Sequence, residues 1–202
     1  MVTPDLATFL ILQLDEIARL YQCLGDRQSA ADATARAERL TEVLCDELWT
    51  GEAFVARLLD GRAVQTGNSL LLFMPLLLGP RLPAAIQLKL LAKLRGSAFL
   101  TAHGLATEAT DSPLYRANGY WRGPIWAPTT LLFVDALDRV GQADLATDIA
   151  WRNLAMCQNA GMAENHDALT GQGLHDPAFA WTSAAYLILA GRLQRLARMT
   201  SR

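Results

Sequence analysis

Two short stretches of this 202-residue chain concentrate side chains able to do chemistry. The first is Gly119-Tyr120-Trp121-Arg122-Gly123-Pro124-Ile125-Trp126, three aromatics and a guanidinium between a loop and an apolar helix. The second runs from Glu164-Asn165-His166-Asp167 to Phe179-Ala180-Trp181-Thr182. Tyr120, Trp121 and Trp126 offer flat apolar faces with polar tips. Sugar rings present C–H faces that pack on such surfaces, and hydroxyls that need directed partners. Arg122 can serve those hydroxyls, and a guanidinium set among aromatics calls for a bidentate acceptor. Gly123 and Pro124 fix the backbone between the two tryptophans. Glu164 follows an apolar helix within a glycine-rich loop, and a carboxylate there can be a general base if it reaches a water. Asn165, His166 and Asp167 can orient it or simply form a turn. The same residues also have a plainer use, the tryptophans as core at a helix start and Glu164 as a solvated loop acid. On residue types alone both uses stay open. His166 and His175 lack the spacing of a metal set.

Such patches need elements to hold them. Thr3-Pro4-Asp5 suits a helix start, with a hydroxyl cap, proline at the first position and an acid in the first turn. Leu6, Phe9, Leu10, Leu14, Ile17, Leu20 and Tyr21 then recur at three- and four-residue steps, the period of a helix with one apolar face. Gly25-Asp26 closes it. Ser29 to Trp49 reads as a second amphipathic helix with Ala33, Ala37, Leu40, Val43, Leu44 and Leu48 on one face, and the short link implies an antiparallel hairpin. Thr50 to Val64 is a loop with room for a short β excursion at residues 53–57. Asn68 to Leu78 and Pro83 to Leu94 form a second helix pair around Gly79-Pro80. Gly96 to Asn118 is a long irregular stretch, and long loops in compact domains tend to carry function. Pro128 to Val140, Ala143 to Ala160 and Thr182 to Met199 are helical, with Gly161 to Phe179 as a second long loop. Helices without a run of period-two strands or a βαβ pattern make the fold all-α. Short turns alternate with long loops, as they do when hairpins pack side by side with a site at the loop end.

The totals narrow the function. The chain is 51% hydrophobic and 19% charged, enough to bury a core. Its net charge of −2, with acids and bases interspersed, gives no basic face for nucleic acid. Cys23, Cys45 and Cys157 lie far apart in helical patterns and read as free thiols in a reducing compartment. The apolar run at residues 9–12 is broken by Gln13 and Asp15, and that at 70–78 by Pro75, which reads as a buried helix. Neither suits a membrane span or a leader peptide. The cytoplasm is the expected location.

Taken together, residues 119–126, Glu-Asn-His-Asp-Ala-Leu-Thr-Gly at 164–171 and Asp-Pro-Ala-Phe-Ala-Trp-Thr-Ser-Ala at 176–184 resemble the closing motifs of the (α/α)6-barrel glycosidases. They are most similar to glycoside hydrolase family 63, with its mannosylglycerate and glucosylglycerate hydrolases; trehalases are more distant. The hairpin from Thr3 to Trp49 looks like the stretch that follows the family's general-acid motif, so the likeness covers nearly the whole chain. It implies antiparallel helical hairpins forming part of an (α/α)6 toroid, with residues 1–202 as a single domain, the C-terminal portion of that barrel. Carried over residue by residue, it implies Glu164 as general base. Tyr120, Trp121, Arg122, Gly123 and Trp126 become the sugar-binding wall, with Trp181 near the same pocket. His166 stands where many members have Tyr, a change that bears on substrate choice.

The resemblance also implies inversion. One carboxylic acid protonates the leaving oxygen, and a carboxylate roughly 6.5–9.5 Å away activates water on the opposite face. The family's acid, an Asp in a motif like Asp-Asn-Ser-Pro, falls before the region matching Met1, so the acid is expected from outside this chain. Asp111, in Thr110-Asp111-Ser112-Pro113, looks similar but lies in the wrong place. The expected reaction is hydrolysis of an α-glucoside or α-mannoside, such as a glycosylglycerate or small oligosaccharide. It needs no metal or organic cofactor. A half barrel would expose an apolar edge, so its partner is the missing N-terminal half or a second copy. A non-catalytic carbohydrate-binding or remnant module, and a trehalase- or glucoamylase-like hydrolase, are the alternatives.

Overall fold

The computed structural model describes residues 1–64 and 68–200. It is predominantly helical, as expected, and it forms two compact units, Met1–Gln65 with Leu71–Leu91, and Thr66–Leu70 with Ala92–Arg202.

In the first unit, α1 (Pro4–Cys23) and α2 (Arg27–Leu48) form the expected hairpin. Gly25, at φ 79°, makes the turn. The caps differ from expectation. The Thr3 hydroxyl makes no cap bond, whereas the Asp26 carboxylate accepts from Ser29 N–H at 3.0 Å. The buried stripe of α1 also differs. Pro4, Thr8, Ile11 and Ala18 are buried, while Leu6, Phe9, Leu10, Leu20 and Tyr21 are exposed. The reason is the partner surface. Helix α2 buries Ala30, Ala33 and Ala37, small side chains that α1 faces with Pro4, Thr8, Ile11 and Ala18 rather than with its leucines. On α2, Leu44 and Leu48 are buried as expected, but Val43 is exposed. Residues 50–64 hold isolated bridges, Trp49 to Phe54, Val2 to Arg57 and Arg57 to Ala63, rather than a strand.

The apolar run at Leu70–Arg81 is a 3₁₀ stretch broken at Gly79, not the α-helix expected. Pro75 has no N–H to donate and blocks α-helical bonding there. Its residues 73–79 are buried all the same. Helix α3 (Ala84–Arg95) follows.

In the second unit, α4 (Ala127–Arg139), α5 (Ala143–Ala160) and α6 (Ala180–Thr200) pack on one another. The long connection before α4 is irregular, as expected, yet deeply buried at residues 104–109. A buried loop must place its backbone hydrogen bonds. It does so through isolated bridges, Leu100 to Leu105, Ala106 to Ile125 and Ser69 to Glu108. The second long loop contains a two-residue antiparallel ribbon that the sequence reading lacked, β1 (Asn165–His166) with β2 (Gly173–Leu174). No helix among the described residues is long and apolar enough to cross a membrane.

Candidate active site

The two chemical patches meet. Ile125 N–H donates to the His166 carbonyl at 2.7 Å, and His166 N–H donates back to the Ile125 carbonyl at 3.0 Å. This bridge stitches the loop before α4 to β1 and sets the side chains on either side at fixed spacing.

On the first strand of that stitch the backbone is tightly specified. Gly123 has φ 153°, and a Cβ there would lie 2.3 Å from the Arg116 carbonyl oxygen, so only glycine fits. Arg116 N–H donates to the Arg122 carbonyl at 2.8 Å, closing the loop around residues 116–122. Thr107, buried beneath, uses its hydroxyl twice. It donates to the Pro124 carbonyl at 2.9 Å and accepts from Gly123 N–H at 3.2 Å. Tyr120 adopts φ 59°, uncommon for a non-glycine residue. In that conformation its carbonyl accepts from the Trp126 indole N–H at 2.9 Å, and its ring meets Trp126 edge-on at 4.9 Å.

On the second strand, Glu164 N–H donates to the Asp176 carbonyl at 2.7 Å, and the Thr182 hydroxyl donates to the Ala163 carbonyl at 2.7 Å. Glu164 is thereby anchored on both flanks and half-buried. The Tyr120 hydroxyl donates to Glu164 Oε1 at 2.8 Å. That hydrogen bond, with lesser help from burial and the carboxylate's charge, raises the Tyr120 phenol above its ordinary value, so it remains a donor at neutral pH.

An aromatic cluster surrounds the pair. Trp121 stacks on Trp126 with centroids 4.1 Å apart and planes 9° from parallel. Trp181 lies 6.5 Å from Trp126 and contacts Phe179 edge-on at 5.5 Å. Exposure divides the expected wall. Tyr120, Trp121 and Trp181 are 46%, 44% and 55% exposed, whereas Trp126 is 1% exposed. Trp126 therefore backs the wall from beneath. Gly123 and His166 are buried as well. The His166 ring sits within hydrogen-bond reach of the Gly161 carbonyl, 3.1 Å from Nε2. Burial pushes its imidazole below the ordinary value, partly offset by that contact, and His103 adds a small push downward. Its place is that of a neutral, structural ring rather than of a surface presented to ligand. Arg122 is exposed, and among the described residues its guanidinium has no carboxylate partner, in contrast to the bidentate acceptor expected.

Thr107 is not singled out by the sequence, and His175 is weighed there only as a metal ligand. The His175 ring stands edge-on to Tyr120 at 5.8 Å, and its φ is 62°. A histidine beside Asp-Pro in a loop carries no periodicity, and only the contact with Tyr120 marks it. Asp111 is exposed. Among the described residues no three His, Cys, Asp or Glu side chains converge as a metal would require.

Residues 1–182 match the mannosylglycerate hydrolase MGH1-like glycoside hydrolase domain. The chain belongs to this family. It is 28% identical over 179 residues to the mannosylglycerate hydrolase of Rubrobacter radiotolerans, which covers 85% of this chain and 40% of that protein. The crystal structure of the family 63 mannosylglycerate hydrolase of Thermus thermophilus in complex with glucose superposes with a TM-score of 0.76 at 25% identity, over 92% of this chain and 44% of that one. Neutral trehalase of Saccharomyces cerevisiae superposes with a TM-score of 0.76 at 22% identity, over 93% of this chain and 37% of that one, a likeness of fold. The chain thus spans less than half the length of the relatives it matches. The expected family and six-hairpin glycosidase fold are borne out.

Proposed function

We propose that this chain carries the general-base side of a glycoside hydrolase site that cleaves an α-glycosidic bond, an α-mannoside or α-glucoside, with inversion. Family membership supports the reaction class. The observation that carries the residue roles is the Tyr120 hydroxyl on Glu164 Oε1 at 2.8 Å, inside an aromatic wall. One carboxylate oxygen is held and oriented by the phenol, which leaves the other to take a proton from water as that water attacks the anomeric carbon. Trp121, Trp181 and the Tyr120 ring supply the faces on which a sugar packs, and Arg122, free of a carboxylate among the described residues, is available to its hydroxyls or to a glycerate carboxylate. Trp126, Gly123 and His166 hold these groups in register. The general acid is assigned to residues outside this chain.

The test measures hydrolysis of α-mannosylglycerate and α-glucosylglycerate, following the anomer released by NMR, with the chain complemented by the remaining barrel of a family member. Glu164→Gln lowers kcat by about 10²–10⁴-fold, the usual worth of a positioned base. Tyr120→Phe lowers it less. A rate unaffected by Glu164→Gln overturns the assignment of the base.

A further inference from the structure

His175 borders a second concavity in the same unit. It measures about 510 Å³, within the range of small-molecule sites. Its walls are Asn159, Thr170, Gln172 and His175, and Ala163 and Gly173 line it between them. The small residues there are required by packing. A Cβ on Gly173 would lie 2.8 Å from the Ala163 Cβ and 3.1 Å from the Ala160 carbonyl oxygen. The walls carry two carboxamides, a hydroxyl and an imidazole, and among the described residues no Asp, Glu, Lys or Arg lines the space. Groups that both donate and accept suit hydroxyls, which do the same. A carboxylate or phosphate would find no cation to pair with.

The concavity adjoins the candidate active site, since Ala163, the neighbour of Glu164, lines it and His175 reaches Tyr120. The His175 ring stands 5.8 Å from the Tyr120 ring, and Tyr120 holds Glu164. His175 keeps this place in a left-handed backbone conformation, φ 62°. The next residue, Asp176, accepts Glu164 N–H through its carbonyl. A non-glycine residue held in that region by its surroundings marks a site worth testing for function.

We propose that this concavity binds a neutral polyhydroxylated group, a sugar ring or polyol, and that His175 joins it to the Tyr120–Glu164 pair. Resting on the glycosidase reading above, the bound group is a further hydroxylated part of the same substrate, beyond the sugar packed on Trp121.

An NMR titration of the full 202-residue chain tests this. The probes are D-mannitol, D-glycerate at matched ionic strength, and methyl α-D-mannoside. The signals followed are the side-chain amides of Asn159 and Gln172, the His175 imidazole, and the indole N–H groups of Trp121 and Trp181. Mannitol shifts the amide and imidazole signals saturably and glycerate shifts them less. Gln172→Ala, at an exposed position, weakens mannitol binding about fivefold, the loss of one neutral hydrogen bond. Amide and imidazole signals unmoved by mannitol, or moved more by glycerate, overturn the proposal. If methyl α-D-mannoside still shifts the two indoles in that case, the sugar-binding reading of the active site survives and only the second subsite fails. If the indoles are also unmoved, both fall.

Discussion

In the α1–α2 hairpin the helices bury small residues, Ala18, Ala30, Ala33 and Ala37, and leave Leu6, Phe9, Leu10 and Leu20 exposed. In the loops around Tyr120 the pattern is reversed. Irregular backbone at residues 104–109 and 123–126 is buried, and Ile125 and Trp126 are among the most enclosed side chains of their unit. Burial therefore does not follow secondary structure here. The hairpin is held by faces rich in alanine, with Ile11, Leu44 and Leu48 as their larger buried side chains. The site loops are held by backbone hydrogen bonds, Ile125 and His166 exchanging two, and by the Thr107 hydroxyl, which bridges Gly123 N–H and the Pro124 carbonyl. A helix surface tolerates substitution wherever it faces out. A buried loop tolerates very little, and that rigidity is what fixes Tyr120 against Glu164.

The sharpest test of this contrast lies inside the aromatic cluster, where one ring is enclosed and its stacked neighbour is open. Trp126→Ala removes a ring at 1% exposure and the donor to the Tyr120 carbonyl, and should cost about 3–5 kcal/mol. Trp121→Ala removes a ring at 44% exposure and should cost about 1 kcal/mol, the worth of its stack. Chemical denaturation measures both. Equal losses would mean that Trp121 is structural and would withdraw it from the sugar wall. Gly123→Ala comes next. The added Cβ meets the Arg116 carbonyl oxygen at 2.3 Å in a backbone region that alanine rarely adopts, and about 1–3 kcal/mol is expected. Loss of the Tyr120–Glu164 contact should accompany it, seen as a drop in the Tyr120 phenol's ionisation pH in a spectrophotometric titration.

Much of this was legible beforehand, and for a physical reason. Helix existence is written in periodicity, so α1, α2, α5 and α6 are found within a few residues of their observed ends. Motif order, from Gly119 through Trp181, carries the family because aromatics, glycine and proline at such spacing rarely recur by chance. The losses occur where a local signal has two outcomes. Apolar periodicity in α1 gives the helix but not which stripe is covered, since that depends on the alanines of α2. Trp126 and Trp121 are the same residue type five positions apart, and only tertiary packing encloses one and leaves the other open. The 3₁₀ form of Leu70–Arg81 follows from Pro75, a local cue that apolar content alone overrides in a sequence reading. Thr107 and His175 act through single contacts, which no pattern announces.

A gentler probe of the buried stitch is pH. The His166 imidazole is held below its ordinary value of 6.5, chiefly by burial. In mildly acid solution the unfolded chain binds a proton there that the folded chain resists, so stability is full above about pH 6.5 and declines as pH falls toward the lowered folded-state value. Thermal melts between pH 8 and pH 5 should show the decline, and His166→Asn should flatten it. A slope unchanged in the variant would place the acid sensitivity elsewhere.

The smallest effect is expected on α1, and its smallness is informative. Leu10 is 44% exposed and Ile11 is fully enclosed, adjacent residues on one helix. In the 202-residue chain, Leu10→Ser should alter unfolding free energy by no more than about 0.5 kcal/mol, the range of ordinary surface positions. Ile11→Ala is the internal control and should cost about 2–5 kcal/mol. Denaturant titrations repeated at increasing protein concentration then separate two states of the exposed stripe. If the Leu10 effect stays small throughout, the stripe faces solvent. If it grows with concentration, Leu6, Phe9 and Leu10 are covered by a second copy, because stability that depends on association rises with the partner's concentration by mass action.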